Sequence, residues 1–407
     1  MKIIGLFLNT TIRTGGHRRY LELLEGLAAK GHEVVTLMDE DLPYEPGRFS
    51  RWAMGVYHKP GPRVLPYSVL FLLAVRRNWR SLSGELDGAD YIVIFGELHY
   101  LAARFLQKRL GARLLFAYRS NWIQRTLLIL KAGYESPMGA LRLRLEYFKY
   151  RFWESLVARN AQLVAFQSES DRDDFLSRRP KAADKTIVIR GDISEPHFKK
   201  EFEGRNRSRE ARRLIYVGVL GLSKGIGYLL SALAMLRERG IEGLSLDVLG
   251  RGTNLAELEA ACGRLGISEI VSFKGQVSDP FSYLERADLL VFPTLFDGYP
   301  NVVLEALHVG LPVIASCVGG LPDILRHEEL LFPSMDAKAI ADRVERCVKE
   351  PEFYLKIREL CAGRLEYFHF DWPGAWESAM LGIPARKSAP AASSSDNSSF
   401  TSDFHKR

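Results

Sequence analysis

The sequence predicts an α/β protein made of two doubly wound, parallel-sheet domains, each of Rossmann type. Three observations carry this expectation. Short apolar runs alternate with longer amphipathic stretches along most of the chain. The alternation halts once, at a charged segment near residue 200, and then restarts. With 407 residues the chain is long enough for two domains at roughly 150 residues each. A composition 47% hydrophobic and 26% charged is ordinary for a globular protein and excludes collagen-like, coiled-coil and wholly disordered chains.

In the first block, Ile3–Leu8, Val34–Leu37, Tyr91–Phe95, Leu114–Tyr118, Leu163–Phe166 and Ile187–Ile189 read as strands buried on both faces, as parallel strands are. The stretch KKEFEGRNRSREARR (199–213) is nearly devoid of apolar residues and reads as a linker or surface loop. Strands resume at Leu214–Val217, Leu244–Leu249, Ile270–Phe273, Leu289–Phe292, Val313–Ala315 and Leu330–Phe332. The expected domains are therefore 1–198 and 199–368, followed by a helix over 369–383 and a Ser/Ala-rich tail over 384–407 that reads as disordered. In such folds ligands bind beyond the carboxyl ends of the strands, so chemistry is sought in the loops that follow them.

Cys262, Cys317, Cys347 and Cys361 contain no C-x-x-C pair and fit a reducing compartment better than a disulfide scaffold or a zinc site. The longest apolar run, Leu65 to Val75, is well short of the ~20 residues of a membrane span. MKIIGLFLNTT reads as a first strand, not a signal peptide. A cytoplasmic protein is expected, with a peripheral seat on the inner face of a membrane as a further reading. That reading comes from charge. Residues 1–195 hold 30 Lys and Arg against 21 Asp and Glu, and residues 101–160 alone hold 12 against 3. So local an excess points to an anionic surface. Within it, residues 138–159 read as a helix on which Leu141, Leu145, Phe148, Phe152 and Leu156 recur at three- and four-residue steps, with Arg142, Arg144, Lys149 and Arg151 on other faces. Two readings fit: a membrane-interface helix, or a core-packing helix with a solvated basic side. Phospholipid is the expected anionic partner, and nucleic acid is not.

Several loops after strands carry residues suited to phosphates and sugars. Thr14-Gly15-Gly16-His17 precedes a helix over Arg18–Lys30; paired glycines let the backbone approach an anion closely, or simply make a turn. Lys224 lies in Val219-Leu220-Gly221-Leu222-Ser223-Lys224-Gly225, between a strand and a helix, either to neutralise a diphosphate or as a solvated first-turn lysine. Arg251, in Gly250-Arg251-Gly252, is a second candidate cation or a plain turn arginine. The most informative stretch is Pro293–Leu307. Asp297 ends a strand loop, and Glu305 lies about one turn inside a helix beginning near Asn301. Two such carboxylates would converge on one cavity and accept charge-assisted hydrogen bonds from vicinal hydroxyls, while amides at the helix start, beside Asn301 and Val302, face phosphate or sugar oxygens. Asp171-x-Asp173 superficially suggests a metal motif, but after Ser170 at a helix start the acids suit the helix dipole. Cys317 reads as a packed small residue.

Taken in order, these motifs resemble those of the retaining nucleotide-sugar glycosyltransferases of the GT-B fold, glycosyltransferase family 4-like (group 1). The resemblance rests on Gly15-Gly16, Gly31-His32-Glu33-Val34 and Ala161–Glu169 in the first half. In the second it rests on Lys224-Gly225, Gly250-x-Gly252, Gly275-Gln276-Val277, the 293–307 stretch, Gly310-x-Pro312-Val313-Ile314-Ala315 and Gly319-Gly320-Leu321-Pro322. It implies a nucleotide-sugar donor in the second domain and a glycan or lipid-linked acceptor in the first, in cell-surface glycan biosynthesis, with no metal or redox cofactor. By the same resemblance Glu305 holds the donor ribose, Asp297 with Gly298 meets the transferred sugar, and Lys224 binds the diphosphate. Gly275, Gln276 and Val277 hold the base, while Gly16, with Gly15 and His17 beside it, lines the phosphate and acceptor side. Phe370-Asp371-Trp372 looks like the family's terminal segment, which crosses back to the first domain. Three departures stand out. Val219 occupies the place of a usual arginine, Asp297 that of a glutamate, and Tyr118-Arg119-Ser120-Asn121 that of a common histidine, leaving Arg119 as a candidate for donor or acceptor phosphate. A sugar-nucleotide epimerase and a non-catalytic nucleotide-sugar-binding subunit are the rival readings.

Overall fold

The computed structural model describes residues 1–7, 15–39, 49–54, 66–118, 121–132, 136–191, 210–368 and 370–382. Two compact units emerge: Met1–Gly191 with Asp371–Arg386, and Asp192–Phe370 with Lys387–Arg407. The expected boundary at 198/199, most of the expected linker and the 384–407 tail lie outside the described residues.

The first unit is built on seven parallel strands: β1 (Lys2–Phe7), β2 (Glu33–Met38), β3 (Ser50–Ala53), β4 (Tyr91–Phe95), β5 (Arg113–Tyr118), β6 (Leu163–Phe166) and β7 (Thr186–Val188). They lie in the order β3-β2-β1-β4-β5-β6-β7. The central strands are buried along nearly their whole length, which is why their apolar runs were legible. β3 was not expected. Its sequence, SRWA, lies at a sheet edge with a largely exposed pattern, so it carries no apolar run to betray it. β7 begins one residue earlier than its apolar run. Helices fill both faces: α1 (Gly15–Ala29), α2 (Tyr67–Arg77), α3 (Trp79–Leu86), α4 (Tyr100–Leu110), α5 (Trp122–Ala132), α6 (Pro137–Asn160) and α7 (Glu169–Arg178). The core gathers Ile4, Leu6, Val35, Ile92, Ile94, Leu114, Phe116 and Phe166 between them.

Two helix starts differ from expectation. α1 begins at Gly15, so Gly15, Gly16 and His17 belong to its first turn and are not a loop before it. α7 begins at Glu169 with Ser168 as cap, its hydroxyl accepting from the Asp171 amide at 3.2 Å. Asp171 is thus a buried first-turn residue, favoured there by the helix dipole.

α1 is seated at the point where strand order reverses. The Tyr20 hydroxyl donates to the Val93 carbonyl at 2.7 Å on β4 and accepts from the Leu6 amide at 2.9 Å on β1. Desolvation holds its phenol well above the usual range.

The second unit repeats the plan with six parallel strands: β8 (Arg213–Val217), β9 (Ser245–Leu249), β10 (Val271–Gly275), β11 (Leu289–Phe292), β12 (Val313–Ser316) and β13 (Leu331–Phe332). Their order is β10-β9-β8-β11-β12-β13. On one face α8 (Ile226–Glu238) packs with α9 (Leu255–Leu265) and with α13 (Ala337–Lys349). α10 (Phe281–Arg286) links β10 to β11. On the other face lie α11 (Asn301–His308), α12 (Leu321–Leu325) and α14 (Pro351–Leu365). α13 buries Ile340, Ala341, Val344, Cys347 and Val348 at helical spacing, behind an Asp336 cap that accepts from the Ala339 amide at 2.9 Å.

The last helix, α15 (Trp372–Met380), belongs to the first unit. Asp371 caps it through the Gly374 amide at 2.8 Å and pairs with Lys30 at 2.5 Å. His32 Nε2 lies 2.8 Å from Glu377, and the Tyr91 hydroxyl donates to the Met380 carbonyl. Pro373 lies so close to Gly26 of α1 that a Cβ there would overlap its ring. Gly26→Val is therefore expected to lift α15 off α1 and cost about 1–3 kcal/mol. Hydrogen exchange would register it as lost protection over 372–380; full protection in the variant would refute the packing argument.

Candidate nucleotide-sugar site in the second unit

In the second sheet strand order reverses between β8 and β11, so the loops after these two strands flank the crevice where open α/β sheets bind ligands. The β8 loop ends in a short turn over Leu222–Lys224, closed by Gly225 at φ 67°, from which α8 starts. The β11 loop runs from Pro293 to Pro300 and enters α11 at Asn301. Lys224 Nζ and Asp297 Oδ2 meet across this crevice at 2.5 Å, both about one-fifth exposed. The ammonium also lies 6.0 Å from the centre of the Phe292 ring.

Backbone packing sets that distance. The Leu295 amide donates to the Ser223 carbonyl at 2.9 Å, locking one loop to the other beside the ion pair. Thr294, fully buried, donates its hydroxyl to the Phe296 carbonyl at 2.9 Å, and Ser316 at the end of β12 donates to the Thr294 carbonyl at 2.5 Å. Glycines let the loops touch backbone to backbone. A Cβ on Gly225 would overlap the Pro293 carbonyl oxygen, on Gly250 that of Gly218, and on Gly252 that of Leu220. A Cβ on Gly319 would overlap the carbonyl oxygen of Asp297, and one on Gly320 that of Gly298. The loops after β9, β8, β11 and β12 thereby form one continuous rim.

The other anticipated residues fall as follows. Glu305 is half-buried on α11, one turn after Asn301, and Gly298 and Val302 are buried. Arg251 points into solvent, while its carbonyl accepts from the Leu220 amide at 2.9 Å. Gly275 ends β10 and accepts from the Gly250 amide at 2.7 Å; Gln276 is exposed and Val277 packs on the core. In the first unit, Gly16 lies in the first turn of α1, and His17 meets the Phe7 ring edge-on at 5.7 Å. Arg119 lies outside the described residues.

Sequence reasoning missed the supports of the pair. Tyr216 donates to the Val219 carbonyl at 3.1 Å, and burial together with the nearby Asp297 charge holds its phenol up. Tyr216 and Ser316 sit inside apolar strand runs, where nothing distinguishes a polar buttress from core. Val219 is 58% exposed, an apolar side chain presented on the rim.

Cys317 follows β12 close to Gly319. Desolvation, and secondarily Glu328, pushes its thiol up to about 11. Its thiolate fraction at pH 8 is then roughly a thousandth. In the folded protein Cys317 is expected to react at least a hundredfold more slowly than a free thiol at pH 8, speeding up as pH rises toward 11. Iodoacetamide labelling followed by peptide mass analysis checks this; rapid labelling at neutral pH would contradict it.

Two doubly wound parallel-sheet units, the second with its loops gathered at the switch point, define the GT-B class of glycosyltransferase folds. The chain belongs to the group 1 glycosyltransferases. Residues 198–360 match the family described as "Glycosyl transferases group 1", and residues 14–191 match "Glycosyl transferase 4-like domain". An uncharacterized glycosyltransferase of Methanocaldococcus jannaschii is 36% identical over 323 residues, covering 75% of this chain and 77% of that protein. Among solved structures, WaaG, a glycosyltransferase involved in lipopolysaccharide biosynthesis, superposes with a TM-score of 0.71 at 16% identity over 94% of this chain and all of that one. Anabaena HepE in complex with UDP superposes with a TM-score of 0.68 at 16% identity, again over 94% and 100%.

Proposed function

We propose that this glycosyltransferase moves a sugar from a nucleoside diphosphate to a hydroxyl of a glycan or lipid-linked acceptor, with retention of configuration, in cell-surface glycan biosynthesis. The observation that carries the reading is the Lys224–Asp297 pair across the switch-point crevice of the second sheet. An ammonium held over a strand-end crevice suits a diphosphate, and a carboxylate beside it suits sugar hydroxyls. HepE, a fold neighbour, has been solved with UDP, which favours a nucleotide in this crevice.

In the free protein the two charges neutralise each other. Donor binding exchanges partners: Lys224 turns to the diphosphate, and Asp297 is released to accept from hydroxyls of the sugar. Glu305, one turn into α11, takes the ribose, and the backbone at 275–277 takes the base. Amides at the start of α11 add positive potential beside the departing diphosphate. Rate enhancement then comes from orientation and from stabilising the leaving group, with Lys224 as its principal cation and no dedicated protein nucleophile. The first unit takes the acceptor.

A thermal-shift panel of nucleoside diphosphates and their sugars tests the donor reading, because a ligand of the folded state raises its stability. One diphosphate is expected to raise the midpoint. Lys224→Ala removes a charged hydrogen-bond donor and is expected to weaken that binding about ten- to a hundredfold. Asp297→Ala is expected to lower turnover about 10²- to 10³-fold while leaving binding of the sugar-free diphosphate within a few-fold. Unaltered turnover in both variants would remove the assignment.

A further inference from the structure

Helix α6 turns a row of large apolar side chains outward. Met138, Leu141, Leu145, Phe148 and Phe152 are between 52% and 75% exposed, and their three- and four-residue steps align them on one stripe. The helix is fastened by its opposite side. Leu143 and Val157 are buried, Trp153 and Leu156 pack on the core, and buried Glu154 pairs with Arg178 at 2.7 Å and Arg179 at 3.3 Å. Leu156, expected on the same stripe as the others, thus faces inward. Isolated exposed leucines are ordinary on a soluble surface, whereas five in consecutive turns of one helix are not.

We infer that this face docks on an anionic lipid bilayer, with α6 lying in the plane of the interface and its stripe entering the boundary between headgroups and acyl chains. The flanks supply the charge. At 3.6 residues per turn, exposed Arg142 and Lys149 lie along one side of the stripe and exposed Arg144 along the other. Opposing acids are few: residues 101–160 hold 12 basic and 3 acidic side chains, Glu154 is buried, and Glu146 lies 3.5 Å from Arg142. α5, which packs on α6, adds exposed Leu127 and Lys131.

This combination selects the occupant. A second copy of the chain would bring the same basic flanks face to face, and like charges oppose that pairing. A nucleic acid would meet the cations and leave Leu145, Phe148 and Phe152 against phosphate and water. A bilayer interface accommodates apolar stripe and basic flanks together. The surface belongs to the first unit and the Lys224–Asp297 loops to the second, so the inference stands independently of how the donor is bound.

The test is co-sedimentation of the full chain with vesicles of phosphatidylcholine alone and of equimolar phosphatidylcholine and phosphatidylglycerol. Binding is expected to the anionic vesicles at low salt, to fall as salt rises, and to be weak on the neutral ones. Leu145→Ser, Phe148→Ser and Phe152→Ser combined should lower partitioning at least tenfold. Arg142→Gln, Arg144→Gln and Lys149→Gln combined should lower it by roughly fivefold per charge removed. This charge variant decides the matter even where the serine variant proves unstable. Equal binding to both vesicle types, or wild-type binding by the charge variant, would overturn the inference. So would a wild-type dimer in sedimentation velocity that the serine variant dissociates without any vesicle binding, or duplex DNA bound in preference to anionic vesicles.

Discussion

The second unit depends on how closely peptide backbones can approach one another at the carboxyl edge of its sheet. Gly225, Gly250, Gly252, Gly319 and Gly320 each face a carbonyl oxygen where a methyl group would not fit. A glycine mid-loop loses more conformational freedom on folding than other residues do. Here that loss is offset by merging four separate loops into one stiff rim. Side chains on a rim of this kind need not be positioned one at a time, because the distance between loops is already fixed by main-chain contact.

The ion pair inherits its geometry from that rim. Lys224 leaves the chain one residue before Gly225, and Asp297 lies at the residue whose carbonyl Gly319 covers. Ser223, next to Lys224 in the chain, accepts from the Leu295 amide. An ammonium and a carboxylate held at 2.5 Å in a crevice that remains partly open to water are in contact with solvent and with each other at once. Such a pair contributes little to folding stability, because water screens it. Its value lies in keeping a concentrated charge at a strand-end crevice without burying it.

Much of this was legible in the sequence, and the reasons differ from element to element. The strands β1, β4, β11 and β12 are covered on both faces, so burial wrote continuous apolar runs into them. β3 escaped because an edge strand need bury little. The first turn of α1 escaped because Gly15-Gly16 reads as a turn, whereas the structure takes both glycines into the helix. Lys224 and Asp297 could be nominated singly, by residue type and by their places after strands. Their mutual contact could not, since it arises from the glycine packing of loops that are 73 residues apart along the chain. Tyr216, Thr294 and Ser316 were invisible as supports, because a hydroxyl inside a strand run has no pattern of its own. The row on α6 was seen as a periodicity, but periodicity does not say which side faces the core.

The return of α15 to α1 has a consequence for biogenesis. The first unit is encoded in two pieces, Met1–Gly191 and Asp371–Arg386, with residues 192–370 of the second unit between them. At ~5–20 residues per second, a ribosome spends roughly ten to forty seconds on the intervening segment. During that interval the seat on α1 for Pro373, together with Lys30 and the Tyr91 hydroxyl, waits without its cover. The first unit therefore cannot complete its own packing until the chain beyond residue 370 has been made, after every strand of the second sheet.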